Sequence, residues 1–91
     1  MEKKMPLIHT VTATEEQVSA LFAEMESFPE YEYRGGYGQL CHRGMTLSGF
    51  NYINRGKNEW ISIEIDRPID PVTGNNRRDG IKVRLYVDRL E

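Results

Sequence analysis

Hydrophobic positions along the chain fall into two periods, and the change from one to the other sets out the domain. Residues 6–12 (Pro-Leu-Ile-His-Thr-Val-Thr) alternate, with Leu7, His9 and Val11 on one face and Ile8 and Thr10 on the other. This predicts a first strand. From Val18 the apolar residues recur at helical spacing, as Val18, Leu21, Phe22 and Met25. Thr14-Glu15-Glu16-Gln17 fits a capping box, with Thr14 as N-cap and Gln17 reaching back to it. Glu15 and Glu16 stand in the first turn, where the helix dipole favours negative charge. Pro29 stops the helix, because the residue before a proline avoids helical backbone. A helix over 14–27 with one apolar stripe must lie on something, and only a sheet is on offer.

After the helix the period becomes two. Tyr31–Tyr33 reads as a short extended piece, Gly35-Gly36 as a break, and 39–43 and 45–53 as strands joined near Gly44. Asn54-Arg55-Gly56-Lys57-Asn58 is a polar turn in which Gly56 is expected to take positive φ. In the strand 59–66, Ile61, Ile63 and Ile65 oppose Trp60, Ser62, Glu64 and Asp66. In the strand 81–89, Ile81, Val83, Leu85 and Val87 face in while Lys82, Arg84, Tyr86 and Asp88 face out. Strands with one aliphatic and one polar face belong to an antiparallel sheet covered on one side. The predicted fold is α+β in two layers, one amphipathic helix on a mainly antiparallel meander of about four to six strands. Residues 67–80 then form a connection much longer than a usual hairpin loop. Its two prolines stiffen the first half, and a loop this long is often functional.

Composition narrows the classes. Ninety-one residues make a single domain, residues 1–91, with one modest core. The 38% hydrophobic and 29% charged fractions argue for a folded chain over a disordered one. A single cysteine, Cys41, excludes an internal disulfide framework and fits a reducing compartment. The opening residues carry charge but no apolar run behind it, and no segment is apolar enough to span a membrane. The expected location is the cytoplasm.

Candidate chemistry is sparse. Cys41 and His42 are adjacent, so in a strand they point to opposite faces, the wrong arrangement for a nucleophile and its base. With His9 they would give a bare three ligands without the close-spaced pair of a metal site. Cys41 is read as a small core residue and the histidines as strand positions. Arg34-Gly35-Gly36-Tyr37-Gly38 has no following helix to cradle a phosphate and is read as a bend or bulge. Glu64 and Asp66 share a face and can pair with Lys82 and Arg84 across strands. No catalytic residue, metal site or cofactor is expected.

Charge distribution is more informative. Between Met5 and Tyr33 there are six acids (Glu15, Glu16, Glu24, Glu26, Glu30, Glu32) and no lysine or arginine, whereas Thr46 to the end has seven acids and eight bases. Acids interleaved with Tyr31 and Tyr33 make a protein-binding edge suited to a basic partner, including the nucleic-acid groove of another protein. Arg77 and Arg78 in the long connection are a second candidate contact. The expectation is a small module that occludes a larger protein, an inhibitor or adaptor such as phages and mobile elements use against host nucleases, by analogy of size and charge. The alternative is a nucleic-acid surface of Arg67, Arg77, Arg78, Lys82 and Arg84 with Trp60 and Tyr86. Those two aromatics are otherwise expected to pack under the long connection. Pairing of an edge strand with a second copy is compatible with either reading.

Overall fold

The computed structural model describes residues 7–42 and 44–90, and the side chains of residues 9–38 and 44–90. The order of elements is β1 (Leu7–Ala13), α1 (Glu15–Ser27), β2 (Tyr31–His42), β3 (Met45–Asn54), β4 (Glu59–Pro68) and β5 (Ile81–Arg89). The five strands form one antiparallel sheet in the order β1-β5-β4-β3-β2, with α1 on one face. The two-layer α+β architecture read from the sequence is the one observed. The meander is β2 through β5, and β1 closes onto β5. Four antiparallel steps separate the edges, so β1 and β2 run parallel to each other and α1 must cross the sheet between them.

The helix begins as its sequence dictates. Thr14 accepts from the Gln17 amide at 3.2 Å, and the Gln17 side chain accepts from the Thr14 amide at 2.8 Å. Its stripe buries Val18 against Ile61, Ile63, Ile65, Ile81 and Val83, with Leu21, Phe22 and Met25 packed alongside. Phe22 meets Phe50 of β3 with ring centroids 4.7 Å apart. Burying each large aliphatic side chain contributes about 1.5–3 kcal/mol, so this one row of isoleucines holds much of the fold's stability.

Two local expectations change. The glycines after Tyr33 do not break the chain. β2 runs through them with register shifts between Tyr33 and Gly36 and between Tyr37 and Leu40, so the extra residues are absorbed as bulges. In the β3–β4 turn the left-handed residue is Asn58 (φ 56°) and not Gly56. Asparagine tolerates that conformation. The turn closes through Lys57 N–H to Asn54 Oδ1 at 3.1 Å and Leu90 N–H to the Asn58 carbonyl at 2.9 Å.

Candidate functional site

The long connection is a folded hairpin. Arg67 and Pro68 belong to β4, and Ile69 bridges Asn76. Asp70 Oδ1 accepts from the Val72 amide at 2.8 Å, Gly74 N–H donates to the Asp70 carbonyl at 2.8 Å, and Gly74 takes φ 76°. Pro71 supplies the fixed φ of a turn's second position. Asp-Pro-Val-Thr-Gly therefore encodes a tight turn, which puts Val72 at its tip with 90% of its surface exposed.

The root of this hairpin is fastened to the start of α1. The Arg67 guanidinium grips the Glu15 carboxylate with two bonds of 2.8 and 3.0 Å. The Glu15 amide donates to the Arg78 carbonyl at 2.8 Å, and Arg78 pairs with Glu16 at 2.9 Å. Arg67's hydrogen bond holds the Glu15 carboxyl below its ordinary range, against the opposing effect of burial. Arg77 pairs with Asp79 at 3.0 Å. Arg67 and Arg78, assigned to a binding surface, thus neutralise the first-turn acids of their own chain.

On the face away from α1, Arg84 donates to Asp66 Oδ1 at 3.0 Å and to Glu64 Oε1 at 3.2 Å, so the cross-strand pairing centres on Arg84 while Lys82 lies exposed. The hydrogen bonds to Asp66 raise the Arg84 pKa above its usual value. Tyr37 reaches over Gly49 and donates to Glu64 Oε2 at 3.0 Å. Burial first, then that bond to a carboxylate, push the Tyr37 hydroxyl up to about 12. Burial likewise raises Tyr86.

The nucleic-acid residues do not share one surface. Arg67 lies two positions beyond Ile65, and the period of two puts it on the helix side, whereas Lys82, Arg84, Trp60 and Tyr86 are on the other face. Trp60 and Tyr86 do not lie under the long connection. Trp60 stands at the opposite end of β4, paired with Ile53 and lining a shallow hollow with Arg34, Arg55, Asn58 and Leu90. Tyr86 is opposite Ser62. The side chains of Cys41 and His42 lie outside those described. His9 is exposed on β1, and among the described residues no three His, Cys, Asp or Glu side chains come together as a metal site would require.

The acidic edge divides as well. Glu32 lies on the outer face, opposite Ile53, where Arg34 and Arg55 approach it at 3.2 and 3.3 Å. Tyr31 packs on the core, and Tyr33, 55% exposed, tilts against Tyr52 with centroids 5.4 Å apart. Glu24, Glu26 and Glu30 are exposed, and none takes part in an ion pair among the described residues. Glu24 stands in the last turn and Glu26 beside it, where the dipole's negative end disfavours acids, and no base occupies that turn. Phe28, which the periodicity left unassigned, is 42% exposed at the helix end, edge-on to Tyr31 at 6.3 Å. Its spacing, three after Met25 and seven after Leu21, continues the apolar stripe, but as the C-cap with extended backbone it leaves the path of the helix.

No family model matches the chain, and neither the curated proteins nor the solved structures yield a match. No helix among the described residues is long and apolar enough to cross a membrane.

Proposed function

We propose that this domain is a protein-binding module that acts by occupying the surface of a larger, basic partner. The contact would be the C-terminal end of α1 and the start of β2, with Glu26, Phe28, Glu30, Tyr31 and Tyr33 at its centre. One observation carries the reading. The chain's own arginines neutralise Glu15, Glu16 and Glu32, yet among the described residues Glu26, in the last turn where the helix dipole makes acids unfavourable, and Glu30 just beyond it take part in no ion pair, beside two exposed aromatic rings. Local rules broken without local compensation are the expected mark of a functional surface. An inhibitor or adaptor of the kind mobile elements direct at nucleic-acid-binding enzymes fits such a surface by size and charge.

The test is affinity capture from lysate with and without nuclease treatment, using the wild-type chain and the double variant Glu26→Lys/Glu30→Lys. A stoichiometric protein that survives nuclease and is lost with the folded double variant is the expected result. Recovery of nucleic acid alone, or equal capture by both chains, refutes it.

A further inference from the structure

One helix cannot cover this sheet. Five strands place the edge-strand axes about 19 Å apart. A helix with its side chains is about 10–12 Å wide, and thirteen residues extend it about 20 Å. α1 therefore runs diagonally, from its tie to Arg67 at the end of β4 to its contact with Tyr31 and Tyr52 near the start of β2. Two corners of the inner face are left open. The corner toward β2 and β3 is a mixed cleft of about 550 Å³ lined by Arg67, Ser48 and Asn76 together with Tyr33, Tyr37 and Phe50. The corner toward β1 and β5 is an apolar groove of about 350 Å³, with His9, Val11, Leu21, Met25, Leu85 and Val87 in its walls. Val11, which periodicity assigns to the core, is 40% exposed there.

The groove is continuous with an unprotected sheet edge. Among the described residues β1 has a neighbour only on its β5 side. Every second residue of an edge strand points its N–H and C=O outward. Edges are commonly shielded by charges, prolines or bulges. β2, the other edge, has two bulges, Glu32 and Arg34. β1 has no charged residue and no proline in Leu7–Ala13, and its one irregularity lies at its start, between Leu7 and His9.

The rim of the groove carries two carboxylates, with exposed Arg89 as the cross-strand neighbour of one of them, Glu59. Glu59 contributes to its wall. Glu24 lies three positions after Leu21, on the flank of the helix that faces the groove. Neither is in an ion pair among the described residues.

We propose that β1 accepts an extended segment of the partner as a sixth strand, with alternate large apolar side chains passing over Val11 into the groove and basic side chains meeting Glu24 and Glu59. This rests on the reading of the domain as a protein binder and adds a contact on the other flank of α1 that meets the first at Tyr31. Strand addition draws affinity from main-chain bonds and specificity from the pockets for alternate side chains. A second copy fits less well, because the β1 it would bring is uncharged and leaves the rim carboxylates unanswered.

The probe is a fluorescein-labelled nonapeptide of alternating leucine and lysine, compared with its leucine–glutamate counterpart by fluorescence anisotropy at moderate salt. One-to-one binding of the lysine peptide, at least tenfold tighter than the glutamate peptide, is expected. Glu24→Lys/Glu59→Lys should erase that preference. Val11→Lys should weaken binding at least tenfold, and amide NMR shifts should concentrate in residues 9–13. Lack of saturable binding, equal affinity for both peptides, or a preference untouched by Glu24→Lys/Glu59→Lys overturns the proposal. So does a dimer in sedimentation that Val11→Lys dissociates, which would make a second copy the occupant. Glu26→Lys/Glu30→Lys should leave peptide binding intact. If that variant loses the captured partner while the peptide never binds, the groove assignment fails and the protein-binding reading stands.

Discussion

Arg67→Met removes the clasp between the hairpin root and the helix start while keeping most of the side chain's apolar volume. The bonds lost are two charge-assisted contacts of 2.8 and 3.0 Å between side chains only 16% and 24% exposed. Exposed pairs contribute about 0–1 kcal/mol, and hydrogen bonds to charged groups about 1.5–3 kcal/mol. A half-buried bidentate pair belongs between, so the expected loss is about 1–3 kcal/mol. Against a total stability of about 5–15 kcal/mol this is large. A loss of 2 kcal/mol corresponds to a fall in Tm of roughly 8–16 °C for a domain of this size. The assay is urea unfolding followed by Trp60 fluorescence, in a double-mutant cycle with Glu15→Gln that isolates the pair. Its pH dependence has a definite sign. Arg67 holds the Glu15 carboxyl below its ordinary value of 4.5, so the stabilisation is fully present above that value and disappears as pH falls through the lowered one. The gap between wild type and Arg67→Met should be wide near neutrality and narrow in acid. A coupling energy below about 0.5 kcal/mol, within ordinary additivity error, or a gap that persists in strong acid, refutes the clasp.

Two further predictions concern β2 and its neighbours. A Cβ at Gly36 would stand 2.0 Å from the Gly49 carbonyl oxygen, which is backbone and cannot move aside, whereas one at Gly38 would meet nothing within 4 Å. Gly36→Ala should therefore cost at least about 1–3 kcal/mol in urea unfolding, and Gly38→Ala should stay within about 0.5 kcal/mol of wild type; equal effects would refute this account of the bulge. Ultraviolet titration should find one tyrosine ionising at about 12, and Glu64→Gln should bring it down toward 10. Since the folded-state value is raised, its contribution is intact below pH 10 and lost as pH climbs toward 12, a decline that Glu64→Gln should shrink.

The elements were legible because each is written in a local code. The capping box and the Val18–Leu21–Phe22–Met25 stripe fix α1, and the aliphatic rows of β4 and β5 fix which face is buried. What periodicity cannot supply is which strand lies beside which. His9, Val11, Leu85 and Val87 alternate as core residues do, and only the placement of β1 beyond β5 puts them in a corner the helix misses. The same holds for charge. Glu15 and Arg67 are 52 positions apart, and the acidic first third looked uniform until long-range pairing divided it into answered and unanswered carboxylates. The turn in the hairpin of residues 69–76 is written locally, in Asp-Pro-Val-Thr-Gly, whereas the pairing of Ile69 with Asn76 that makes it a hairpin carries no alternating pattern.

The diagonal helix joins these observations. A chain of 91 residues has material for one sheet and one helix, and a five-stranded sheet is wider than one helix can cover. Exposed apolar surface is therefore a consequence of the architecture, and the question is how the chain treats each open corner. At the β2 side it lets polar groups and the Arg67–Glu15 pair share the open corner with Tyr33, Tyr37 and Phe50. At the β1 side it leaves valines and leucines beside an uncharged edge strand, with carboxylates on the rim. Leaving it open lowers the stability of the free chain and raises the gain on meeting a partner, which is the balance that the proposed strand addition requires.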